Sequence, residues 1–132
     1  MTSQQSYKPI LMLDFDGCIH SYMSGWKGVD IVPDPPVPGI FAWLEKALEH
    51  FEIHVYSSRS SSPSGKRAII NYIKQHAPNA TFHSRLVYTS EKSRAFIQID
   101  DRCIRFDGDW TDPQFDPKTL LEFKSWYATS KK

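Results

Sequence analysis

The chain has 132 residues, 40% apolar and 23% charged, with a net charge of +1. That length suits one domain with a core worth burying, and the near-neutral balance excludes a global field that would attract nucleic acid or acidic membrane. No apolar run approaches the roughly 20 residues of a membrane span, and MTSQQSYK at the N-terminus lacks the apolar stretch of a secretory signal.

Two cysteines, Cys18 and Cys103, are too few for a disulfide scaffold. Cytoplasmic residence with reduced thiols is therefore expected, in a single domain covering residues 1–132 with polar, frayed ends at 1–6 and 129–132.

In chain order, Pro9–Asp14 is a continuous apolar run ending in a carboxylate, the pattern of a strand buried on both faces. Residues 17–37, rich in Gly, Pro and Asp, read as a long loop. A helix is predicted from Pro38, with Ile40, Leu44, Ala47, Leu48 and Phe51 on its apolar face. Phe51–Tyr56 is the second strand, and Pro63 opens a helix with Ile69, Ile73 and Ala77 along one side. Leu86–Tyr88 is a brief third strand, and Ala95–Ile99 a fourth that ends in Asp100 and Asp101. Asp116-Pro117 reads as an N-cap and first helical position, predicting a last helix over 117–128 that carries Trp126 as a packing residue. Alternation of this kind predicts a mainly parallel sheet with helices on both faces. Ligands then bind at the carboxyl ends of the strands.

Three of those ends carry Asp14-Phe-Asp16-Gly17, Ser57-Ser58-Arg59 and Asp100-Asp101-Arg102. Asp14 and Asp16, two apart in extended chain, project to the same side. Four carboxylates brought into one crevice would raise one another's pKa values unless a cation compensated. A hard, oxygen-preferring ion answers that need, Mg²⁺ above all. The five histidines show no two-ligand spacing, which argues against zinc, and Ser60–Lys66 lacks the first glycine and the final Ser/Thr of a P-loop.

These motifs resemble, in order and over residues 14 to 101, those of the haloacid dehalogenase superfamily. The resemblance implies a three-layer α/β/α Rossmann-like fold without a large cap domain. It also implies a Mg²⁺-dependent phosphomonoesterase. Asp14 would be the nucleophile that forms an aspartyl-phosphate, splitting one hard step into two, and Asp16 the general acid/base. The metal would be held by Asp14, Asp16 through its backbone carbonyl, and the Asp100–Asp101 pair, Asp101 first. Ser57, Ser58, Arg59 and Lys92 would bind phosphate oxygens. Arg102 is expected to pair with a structural carboxylate instead. In detail, Ser57-Ser-Arg59 and Asp100-Asp-Arg102 are similar to small capless members, including the phosphatase domain of polynucleotide kinase-phosphatases. Nucleic-acid or nucleotide 3′-phosphate ends are thus the leading substrate class. Where relatives often carry Thr or Val after the motif glycine, this chain has Cys18, and Ser93 follows Lys92 in place of a frequent proline.

A capless, open site accepts bulky substrates or borrows a lid from a partner subunit. Tyr22 and Trp26 in the 17–37 loop are candidates for stacking on a base. A phosphoprotein phosphatase is a second enzymatic reading. A receiver-like or scaffold domain that binds Mg²⁺ and phosphate without turnover is a third. Receivers place the acidic pair first and the lysine last, the reverse of the order here.

Overall fold

The computed structural model describes residues 7–130. Its centre is a four-stranded parallel sheet, formed by β1 (Ile10–Asp14), β2 (Glu52–Tyr56), β3 (Val87–Thr89) and β4 (Ile97–Ile99). The order is β3-β2-β1-β4, so β1 is flanked on both sides and its Leu11, Met12 and Leu13 are buried as their apolar run requires. The sheet is joined by α1 (Ile40–Ala47) and α2 (Pro63–His76), and the chain ends in the short α3 (Pro117–Leu120) and α4 (Trp126–Ser130). No helix of the described residues is long and apolar enough to cross a membrane. The expected fraying at 1–6 and 131–132 lies outside the described residues, whereas the backbone of 129–130 completes α4.

Period-two alternation in the strands decides which face each helix covers. Leu11, Leu13, Ile53 and Val55 share one core with Ile40, Leu44 and Ala47 of α1 and Ile69, Tyr72 and Ile73 of α2. Both helices therefore lie on the same face of the sheet. Residues of opposite parity face the other way. There Met12 accepts a hydrogen bond on its sulfur from the Ser93 N–H, and His54 bonds Ser93 Oγ at 2.6 Å. The link from β3 to β4, residues 90–96, thus crosses this second face as extended chain and carries no helix.

Several boundaries differ from the sequence reading: β2 starts at Glu52 and not Phe51, β3 is Val87–Thr89 and not Leu86–Tyr88, and β4 is Ile97–Ile99 and not Ala95–Ile99. The first helix begins at Ile40 and not Pro38, because Gly39 stands at φ 87°, outside helical backbone. Phe51 falls beyond that helix and stacks on Phe96, centroids 6.5 Å apart. The single helix expected over 117–128 is two short ones, interrupted at 121–125. Trp126 is also more than packing, since its Nε1–H donates to the Gly17 carbonyl at 2.7 Å, tying α4 to the far end of the chain.

Candidate active site

Register brings the acidic motifs together. Asp14 pairs with Tyr56, and Leu13 pairs with Ile99, so Asp100 follows β4 at the level where Asp14 ends β1. Asp14, Asp16, Asp100 and Asp101 line one cavity of about 480 Å³ with Tyr22, Arg102 and Tyr127. That volume is ordinary for a small-ligand site. Gly17, at φ 92°, makes the turn out of β1, and a Cβ there would sit inside the Asp101 carboxylate. Glycine is what lets the two acidic motifs touch.

The two carboxylates of the first motif have opposite surroundings. Asp14 is pushed up to about 9, by burial first, then by its hydrogen-bond contact with Asp101 and the charges of Asp100, Asp101 and Asp16. For Asp16, burial works in the same direction, but hydrogen bonds from His20 and Arg59 and the guanidinium charge outweigh it. Its carboxyl is held below the usual range. Arg59 Nε donates to Asp16 Oδ2 at 2.8 Å, and His20 Nδ1 meets Asp16 Oδ1 at 2.8 Å. The Asp34 N–H donates to His20 Nε2, so that nitrogen is the acceptor and the ring proton sits on Nδ1, facing Asp16.

Arg59 is fully buried, and its Nη1 also donates to the carbonyls of Gly28, Val29 and Ile31. Its guanidinium lies 4.6 Å from the ring centroid of Trp26. Arg59, expected to grip phosphate, spends Nε and Nη1 on Asp16 and the 17–37 loop, while its Nη2 is buried without a hydrogen-bond partner among the described residues, and the residue does not line the cavity. That loop is fastened elsewhere as well. Beyond Arg59, it is held by the Tyr72 hydroxyl on the Asp34 carbonyl at 2.7 Å and by Ser24 on the Asp34 carboxylate.

The remaining phosphate ligands expected from the sequence do not line the cavity. Ser57 is buried and its Oγ accepts the Arg59 N–H, capping a 3₁₀ turn over Ser58–Ser61. Ser58 is exposed, its carbonyl taken by Ser61 Oγ. Lys92 is exposed on the link that crosses the second face.

Arg102 reverses its expected role. It makes no ion pair with a carboxylate among the described residues. It lines the cavity, with Nη1 donating to the Tyr127 hydroxyl at 3.2 Å. Tyr22, a bulky residue at φ 61°, meets Tyr127 edge to face at 5.4 Å. Such a backbone is rare for a tyrosine and occurs most often where a side chain has to be aimed. Arg102 could have been noticed as the neighbour of the acidic pair. Tyr127, in a terminal helix, carries no local signal at all.

No protein-family model, curated protein or solved structure matches this chain.

The donor set fits a divalent cation on its own chemistry. Asp14 and Asp101 stand carboxylate to carboxylate, and Asp101 Oδ2 is sealed from solvent without a hydrogen-bond donor among the described residues. Two such groups need a shared proton or a cation between them.

Proposed function

We propose that the chain is a Mg²⁺-dependent phosphomonoesterase of the haloacid dehalogenase type, acting through Asp14. One observation carries this reading: the first-motif and acidic-pair carboxylates converge at the carboxyl ends of two adjacent parallel strands, β1 and β4, inside one cavity. A Rossmann-like fold of this type belongs to the same proposal, supported by the parallel order β3-β2-β1-β4, with α1 and α2 covering one face and the helix-free β3–β4 link on the other; cytoplasmic residence is part of the proposal too.

Mg²⁺, when bound by Asp14 and the Asp100–Asp101 pair, would supply positive charge against the equatorial oxygens of the transferring group. Asp14, freed of its shared proton, attacks phosphorus and the leaving oxygen departs, giving an aspartyl-phosphate. Asp16, ionised and doubly held, is suited to take a proton from the water that attacks this ester. It is poorly suited to donate one to the leaving group until Arg59 or His20 lets go. Arg102, facing the cavity, takes the phosphate-binding place first assigned to Arg59. Tyr22 and Tyr127 border the space where the alcohol portion lies, which favours a flat group such as the terminal nucleoside of a 3′-phosphate end.

The test is p-nitrophenyl phosphate hydrolysis with and without Mg²⁺, wild type against Asp14→Asn. This substrate has a leaving group that needs little protonation. Metal-dependent turnover should fall by about three orders of magnitude or more in the variant. Equal rates in the two proteins would remove Asp14 as nucleophile.

The held, ionised state of Asp16 favours one other reading, a phosphoacceptor or Mg²⁺-binding domain that needs Asp14 but no general acid. It would show stoichiometric labelling by a small phosphodonor and no turnover.

A further inference from the structure

The proposed reaction needs a proton donor that Asp16, as held, does not supply. An alkoxide leaves phosphorus readily only if it is protonated as its bond to phosphorus breaks. Arg59 Nε occupies Asp16 Oδ2 and His20 Nδ1 occupies Oδ1, each at 2.8 Å. Both partners are fully buried and tied elsewhere, Arg59 to three loop carbonyls and His20 to the Asp34 N–H. The other groups that line the cavity divide by their chemistry. Asp14 is the nucleophile, Asp100 and Asp101 are set against the cation, and a guanidinium such as that of Arg102 does not give up a proton in a protein. Two phenols remain, Tyr22 and Tyr127.

We infer that Tyr22 is a further catalytic residue, its hydroxyl protonating the leaving oxygen while Asp16 serves the attacking water alone. The inference rests on the phosphatase reading. Backbone strain selects Tyr22 first: it stands at φ 61°, where a bulky residue is found only if its surroundings hold it there. Here they do. The Ser21 N–H donates to the Pro35 carbonyl at 2.9 Å, and the Tyr22 carbonyl accepts the Gly25 N–H at 3.1 Å. The ring meets His20 edge to face at 5.9 Å and Tyr127 at 5.4 Å, which fixes its direction. Its hydroxyl makes no hydrogen bond to a described residue, whereas the Tyr127 hydroxyl accepts one from Arg102. The donor is also loaded. Burial first, and then the charge of Asp16, hold the Tyr22 phenol above the ordinary tyrosine range, so it keeps its proton at neutral pH. An alkoxide is a far stronger base than a phenolate, and the transfer runs downhill.

The two half-reactions balance. An Asp14 oxygen forms the new bond to phosphorus as the ester bond breaks, and the leaving oxygen keeps that electron pair and takes the Tyr22 proton. Water then attacks phosphorus and releases the Asp14 carboxylate. One water proton passes to Asp16 and from there, through solvent, to the Tyr22 phenolate. The sum is ester and water giving alcohol and phosphate, with every side chain restored.

The experiment compares kcat on two substrates with Mg²⁺ present throughout: p-nitrophenyl phosphate, whose leaving group needs little protonation, and a nucleoside 3′-monophosphate, whose leaving group needs it fully. Tyr22→Phe removes the hydroxyl and keeps the ring. It should lower kcat on the 3′-monophosphate by about a hundredfold or more, a loss at least about thirtyfold greater than that on p-nitrophenyl phosphate. Asp16→Asn should slow both substrates. Circular dichroism checks that each variant is folded. If Tyr22→Phe is not, 3-fluorotyrosine placed at position 22 keeps the hydroxyl and changes its acidity, and the ratio of the two rates should shift. Equal losses on the two substrates, or a wild type that hydrolyses p-nitrophenyl phosphate and leaves the 3′-monophosphate intact, overturns the inference. So does a selective loss in Tyr127→Phe or Asp16→Asn that Tyr22→Phe does not show. The phosphatase reading fails separately, by p-nitrophenyl phosphate hydrolysis that Asp14→Asn does not reduce. Asp14-dependent hydrolysis combined with any of the overturning results removes Tyr22 alone.

Discussion

Arg59 decides more at the site than any other single residue outside the acidic set. Its guanidinium, itself fully buried, neutralises Asp16, holds three loop carbonyls and lies on Trp26. Arg59→Ala leaves Asp16 and those carbonyls without their partner, and should cost about 3 kcal/mol of stability at neutral pH by urea denaturation. The pH dependence follows from the direction of the Asp16 shift. Its folded pKa lies below the ordinary 3.8, so its contribution is complete above that value and is lost as pH falls through the folded one. In the variant, burial dominates and raises the folded pKa, so protonation at low pH helps the fold. The gap between wild type and Arg59→Ala should narrow as pH falls, beginning above 3.8 where the variant's Asp16 takes up its proton and continuing below 3.8 as the wild-type pair is lost. A gap constant across that range would mean that the Asp16 pair contributes nothing.

At the level of elements, the carboxyl edge of the sheet is closed by α4, which by its length could not stand alone. Five residues persist as a helix because Trp126 is bonded to Gly17, Tyr127 packs against Tyr22, and Arg102 bonds Tyr127. Trp126→Phe keeps an aromatic ring and removes the donor, leaving the Gly17 carbonyl without the indole. A loss of about 1 kcal/mol is expected, read as a lower urea midpoint at unchanged slope. An unchanged midpoint would show that the indole bond adds nothing in solution. The same logic accounts for the interrupted helix over 117–128: an anchor across 109 residues overrides a periodicity that is only local.

The molecule as a whole is unevenly packed. The core is built from β1, β2, α1 and α2, whereas from Arg102 to Lys124 no residue is buried. Phe106, Trp110 and Phe115 pack on one another there as a small satellite, with Trp110 still 75% exposed and Leu121 87%. Segments with few buried apolar contacts open at low free-energy cost. Amides of 102–124 should therefore exchange with deuterium well before those of β1 and β2. Equal protection would show that the satellite is fastened to the core more firmly than its exposure indicates.

Much of this architecture is legible in the residues themselves. The central strand β1 appears as an uninterrupted apolar run, α2 as Pro63 followed by a periodic face, and the acidic groups as strand-terminal Asp14, Asp16, Asp100 and Asp101. Those features are local, because alternation, capping and turn chemistry act over a few residues. The site's second half is not local. Whether Arg59 turns toward phosphate or toward Asp16 depends on where the 28–31 carbonyls lie. Whether Arg102 faces a carboxylate or the cavity depends on Tyr127. Cys18 becomes a neighbour of Asp101 only because β4 pairs with β1. The sequence by itself determined the strands, the main helices and the acidic strand ends; tertiary structure alone decided which cations meet which carboxylates, since charge partners are chosen by distance in space and the chain records only distance along itself.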